Sequence, residues 1–248
     1  MRKRITFFLM VVVLAIGLGA SSLAQDALKG AVGDLDKGWQ NADLTMVEKA
    51  MKTFEEMAKK NPKDPLAPYY AAKAHFVTAD LLDIKSVKEF DETGEGDKHI
   101  DAALDLIKAS LALKEDSVDT HVLKFLVLRR KMFHVSFPRL MMYISDRRGA
   151  YNRAKELAPD NVNVLLLGAI EVEDGFPPPT PDIPIAEFEK VLSKDPKMAE
   201  AYYQIGVVWE KATQPEKSKA NYEKAIQADP NHLWAKKKLK ELAGGQKS

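Results

Sequence analysis

Nine-residue stretches of similar shape, each opening on an aromatic residue and closing on a proline, run from Phe54 to Pro62, Tyr151 to Pro159, Phe188 to Pro196 and Tyr222 to Pro230. The last two prolines lie 34 residues apart, and the stretches that end at them, FEKVLSKDP and YEKAIQADP, nearly coincide. A period of this length marks stacked supersecondary units, each of which buries its apolar face only against its neighbours. The chain is therefore expected to be an array of small units and not one large core.

The clearest unit runs from Ala199 to Pro230. Tyr202, Ile205, Gly206 and Trp209 share one face of a first helix, and Ser218, Tyr222 and Ala225 share one face of a second. Gly206, Ser218 and Ala225 are small where two helices must approach closely, Tyr222 fills the space beside them, and Pro230 cannot continue a helix. This order of bulky, bulky, small, aromatic, then small, aromatic, small, proline resembles the tetratricopeptide repeat family. The resemblance implies an all-α fold, a right-handed superhelical stack of about five antiparallel helix pairs closed by a C-terminal capping helix.

Counting back from each proline places the other units. The first has Leu28, Val32, Leu35 and Trp39 as its helix stripe, with Gly38, Ala50 and Phe54 in the repeat positions. The second uses Ala102, Leu106 and Ala109 and ends at LKEDS without a proline, and the third ends with Tyr151, Ala154 and Pro159. The fourth has Leu165, Ala169, Phe188 and Val191, with its extra length in EDGFPPPTPDIP, which reads as a stiff connector. After Pro230, Ala235, Leu239, Leu242 and Ala243 keep one apolar face, while Lys236, Lys237, Lys238 and Lys240 stay outside, as an end cap requires. The expected division is a signal peptide over 1–24, a first helix pair over 25–64, degenerate central pairs over 65–160, two C-terminal units over 161–230, and a capping helix and tail over 231–248.

The signal assignment rests on the basic start MRKR, the apolar run 5–20, and Ser22 and Ala24 at the positions that a signal peptidase accepts. Cleavage after Ala24 would make the protein periplasmic or secreted; an uncleaved segment would anchor it in the membrane. The chain has no cysteine, which excludes disulfides and a lipid-modified cysteine alike. Removing Arg2, Lys3 and Arg4 from the 37 basic residues leaves 34 against 36 acidic ones, so no basic excess suits the chain to nucleic acid.

No nucleophile elbow, phosphate loop, HExxH or cysteine cluster occurs, and no catalytic, cofactor or metal residue is assigned. GEGDKH from Gly94 has His99 where a dinucleotide loop needs glycine. DETGEGDKHIDA has Ala102 where a calcium loop needs a bidentate glutamate, and reads as an acidic linker. The five histidines are scattered, with no two at i, i+4 on one helix. One basic run is prominent: Arg129, Arg130, Lys131, Arg139, Arg147, Arg148, Arg153 and Lys155 against Asp146 alone. Its arginines (Arg129, Arg130, Arg139, Arg147, Arg148 and Arg153) either form a patch for an anionic partner or are outward faces of two helices, merely solvated.

The family resemblance implies a concave groove lined by first helices, with Glu200, Tyr203, Val207 and Glu210 in the last unit and Asn163, Leu166, Ile170 and Glu173 in the fourth. Relatives that clamp a terminal carboxylate use lysines and asparagines there. Here an apolar strip with acidic edges suits an amphipathic helix or an extended peptide with basic flanks. If the strip is open, changing Tyr203 and Val207 should leave folding intact; if neighbouring helices cover it, they are core. The expected function is an exported, non-catalytic adaptor, without cofactor, that holds a protein or peptide partner of the cell envelope. The alternative is a ligand-binding accessory of a transporter, with a hydrophobic pocket between the helices.

Overall fold

The computed structural model describes residues 22–86, 93–132, 135 and 139–245. The apolar run of the signal segment, Asp91, Glu92 and His134 lie outside them. Every regular element among the described residues is a helix: α1 (Ser22–Gln40), α2 (Leu44–Lys60), α3 (Leu66–Lys85), α4 (Glu95–Leu113), α5 (Val118–Met132), α6 (Arg139–Leu157), α7 (Val162–Glu173), α8 (Asp182–Lys194), α9 (Ala199–Lys211), α10 (Pro215–Ala228) and α11 (Leu233–Gly245). None of these helices is long and apolar enough to cross a membrane. The chain forms two units, one ending at Leu157 and one beginning at Ala158. In the first, α1 packs on α2, α3 on α4 and α5 on α6; in the second, α7 packs on α8, α9 on α10, and α11 on α10.

The same local chemistry makes a hairpin in each unit. After α1, Ala42 takes a left-handed conformation (φ 52°) and Asp43 N–H donates to the Gly38 carbonyl at 2.7 Å. After α9, Thr213 does the same (φ 55°) and Gln214 N–H donates to the Trp209 carbonyl at 2.9 Å. Each bond spans five residues and satisfies a carbonyl that the helix end leaves orphaned. The following helix is started at once, by Asp43, which accepts from Met46 N–H at 3.1 Å, or by Pro215 in the first turn. Reversal is thus set by contacts local in sequence.

Glycine then sets the depth of the crossing. A Cβ on Gly38 would lie 2.7 Å from Val47 Cγ2, and one on Gly206 would lie 2.5 Å from Tyr222 Cε1. The repeat positions Ala50, Phe54, Phe188, Val191, Ser218, Tyr222 and Ala225 are all buried. Leu35 and Trp39 of the first stripe are buried, whereas Leu28 and Val32 are half-covered.

The second pair departs from expectation by one residue. Ala103, Ile107 and Ser110 are buried, while Ala102 and Leu106 are half-buried and Ala109 is exposed. No proline marks the end of this unit, and its register is set instead by Ser110 Oγ donating to the Pro65 carbonyl at 2.9 Å. From Glu95 onward the acidic stretch is helix and not linker. Asp97 lies 3.9 Å from Arg130, and Asp101 lies 2.7 Å from Lys131, so these carboxylates face cations of α5.

Candidate functional site

On α9 the spacing 200, 203, 207, 210 brings four side chains to one face. Its middle is apolar and already engaged. Tyr203 and Val207 pack against the buried cluster Tyr222, Ala225 and Ala235, with the Tyr203 ring 5.6 Å from the Tyr222 ring and 5.1 Å from the His232 ring. Its ends are tethered. His232 Nδ1 accepts from Ala235 N–H at 3.1 Å, which leaves Nε2–H to donate to Glu200 Oε2 at 3.2 Å. Glu210 accepts from Lys238 Nζ at 3.0 Å and from the Tyr222 hydroxyl at 2.5 Å. Burial, and then the Glu210 carboxylate, raises the Tyr222 hydroxyl well above the ordinary phenol range.

The open strip expected on α9 is therefore a shelf half covered by α11. Tyr203 and Val207 are part of the packing, so the expectation that replacing both leaves folding intact is withdrawn. A polar residue at Val207 would meet the same cluster that seats α11. Glu200 and Glu210 remain accessible, with side chains 38 % and 37 % exposed.

The strip expected on α7 is interior. Asn163 is half-buried beside the cap, where Asn161 Oδ1 accepts from its N–H at 2.9 Å. Leu166, Ile170 and Glu173 are buried, and Glu173 accepts from Lys211 Nζ of α9 at 2.8 Å. The sequence of α7, VNVLLLGAIEVE, is apolar on nearly every side, so spacing could not distinguish an inner face from an outer one.

The arginine run does not form one patch. Arg130 is buried and donates from Nε to Asp83 Oδ2 at 2.6 Å and from Nη2 to Oδ1 at 2.9 Å. Arg147 is buried with its guanidinium 5.1 Å from the Phe125 ring centroid. Arg153 pairs with Glu156 at 3.1 Å, Arg129 is half-buried, and only Arg139 and Arg148 of the six are exposed. Two arginines are thus structural, because a buried guanidinium survives only with a carboxylate or aromatic partner.

Two polar clusters on α3 were not expected. Lys73 is buried 3.6 Å from Asp36, and burial lowers the lysine and raises the aspartate despite their attraction. His75 Nδ1 lies 2.8 Å from His99 Nδ1, and His75 Nε2 lies 3.2 Å from Glu55 Oε1. The sequence signal was available in α3 itself, where Lys73, His75 and Asp83 stand among the polar residues of a largely apolar helix.

Burial holds His75, His99 and His121 below the ordinary histidine value of 6.5. As pH falls, the unfolded chain takes up protons at these sites first, so their contribution to stability is fully present above pH 6.5 and is lost as pH drops through the lowered values. The melting temperature should hold steady at neutral pH and decline in acid below this value. His99→Asn should flatten the decline, as thermal unfolding over a pH series will show.

Residues 199–232 match the tetratricopeptide repeat family model. No curated protein sequence matches the chain. Among solved structures, a thermophilic TPR protein of Thermus thermophilus is 16 % identical over 88 % of this chain and 98 % of its own, with a TM-score of 0.65. Human IFIT1, solved as a dimer with PPP-AAAA, is 14 % identical over 90 % of this chain and 46 % of its own, with a TM-score of 0.58. PilW, a type IV pilus biogenesis factor, is 14 % identical over 84 % of this chain and 79 % of its own, at 0.53. The matched last unit, with the glycine and aromatic at its helix crossing, is a tetratricopeptide repeat, and the chain as a whole has a fold similar to that of solved TPR proteins.

Proposed function

We propose that the protein is an exported, non-catalytic scaffold that holds a protein or peptide partner in the bacterial cell envelope. Tetratricopeptide proteins bind protein or peptide partners generally and are typically non-catalytic. The observation that carries the reading is the α9 shelf. Glu200 and Glu210 stand at the two ends of half-buried Tyr203 and Val207, with more than a third of each carboxylate side chain open to solvent. A peptide or helix with basic flanks and an apolar centre fits that order of charges. Export is supported by the basic start, the apolar run 5–20, and Ser22 and Ala24. Cleavage after Ala24 would shorten α1 only at its first turn and leave the Gly38 crossing intact.

Expression of the full chain in a Gram-negative host, followed by intact-mass measurement, should give a protein beginning at Gln25. Immobilised wild type should then retain an envelope protein that Glu200→Gln/Glu210→Gln, folded to the same helicity, retains poorly. An uncleaved chain would make the protein membrane-anchored, and equal retention by both forms would place the contact elsewhere.

A further inference from the structure

We propose that His75 and His99 form a binding site for a divalent transition-metal cation of the zinc class, oriented by Glu55. The site lies in the α3/α4 hairpin and is independent of the α9 shelf, so the scaffold reading can fail without it. The two imidazoles come from different helices, with ring centroids 5.1 Å apart and planes tilted by 44°. Their Nδ1 atoms approach to 2.8 Å, which requires one to carry a proton and the other to offer its lone pair. Glu55 decides which. Its Oε1 lies 3.2 Å from His75 Nε2 and accepts that proton, leaving His75 Nδ1 as the acceptor and His99 Nδ1–H as the donor. A carboxylate on the far nitrogen is the arrangement that holds a metal-ligating histidine in its tautomer.

With the His99 proton moved from Nδ1 to its Nε2, both Nδ1 atoms would offer lone pairs to the cation. Zinc bonds of about 2.0–2.1 Å at a tetrahedral angle place two nitrogens about 3.3 Å apart. The pair must therefore open by roughly 0.5 Å, a movement that a small rotation of the half-exposed His99 ring supplies. Burial and the neighbouring His75 disfavour positive charge on His99, while Glu95 of α4 and Glu48 and Glu55 of α2 pull the other way. Among the described residues no group of three or more His, Cys, Asp or Glu side chains could hold a metal, so the cation would need water for its remaining positions. Imidazole donors select zinc, copper or nickel over magnesium and calcium. Bound there, the cation would clip α3 to α4.

The test is calorimetric titration of the full chain with zinc chloride at about pH 7.5, with the histidine ring signals followed by NMR. About one equivalent should bind, shifting the rings of His75 and His99. His99→Gln should abolish binding and Glu55→Gln should weaken it roughly tenfold or more. Magnesium and calcium should give no heat. Affinity should fall toward about pH 5.5, because protons compete for the same nitrogens. Zinc uptake that leaves these two rings unshifted, or that survives His99→Gln, would overturn the assignment, as would no uptake at all. The ring shifts are read on the wild type, so a variant that fails to fold does not remove the test.

Discussion

Asp83→Ala is expected to destabilise the first unit by about 3–5 kcal/mol, the largest effect of any single change described here. Asp83 is completely buried and accepts two hydrogen bonds from Arg130, itself buried, so truncating the carboxylate removes both of those bonds from a buried guanidinium. Asp97 cannot take over. It stands 3.9 Å from a different nitrogen and is 31 % exposed. Replacing both members, Asp83→Leu with Arg130→Met, should recover most of the loss, because the pair's attraction is largely offset by the desolvation of its charges. Urea unfolding of the two variants measures both. A loss below about 1 kcal/mol for Asp83→Ala would mean that the pair behaves as a solvated one.

Gly206→Leu should cost about 1–3 kcal/mol through overpacking, with the melting transition of the second unit moving to lower temperature. The first added carbon alone would lie 2.5 Å from the Tyr222 ring. That ring cannot swing aside, since its hydroxyl is held by Glu210 and its face is packed against Tyr203. Ala225→Leu should behave alike on the facing helix. Gly149, in the middle of α6, is the control: a Cβ there meets nothing within 4 Å, so Gly149→Ala should stabilise by roughly 0.5–1 kcal/mol. Equal effects at the two glycines would contradict the close crossing.

The contrast between these two predictions shows what the residues disclosed in advance. The glycine, the aromatic and the proline of the last unit act within one hairpin, so their spacing along the chain is their spacing in space. Arg130 and Asp83 are 47 residues apart, and His75 and His99 are 24 apart, on helices whose relative rotation no local rule fixes. Register failed for the same reason in α4, where the face is chosen by a bond to Pro65, 45 residues earlier. On α7 the periodic signal vanished because Leu166 and Ile170 sit among apolar neighbours on every side. The shelf on α9 was half legible. Its four residues do share a face, but the depth to which α11 covers Tyr203 and Val207 depends on Ala235 and Lys238, beyond the repeat.

The scaffold reading is tested most directly by photo-cross-linking in intact cells, with the reactive residue placed at Glu200 on the shelf or at the exposed Lys219 on α10. Position 200 should give a discrete protein adduct in the envelope fraction, weakened by raised salt because the carboxylates at the shelf's ends contribute charge, and position 219 should give none. Adducts of equal yield from both positions, or none from position 200, would contradict that reading.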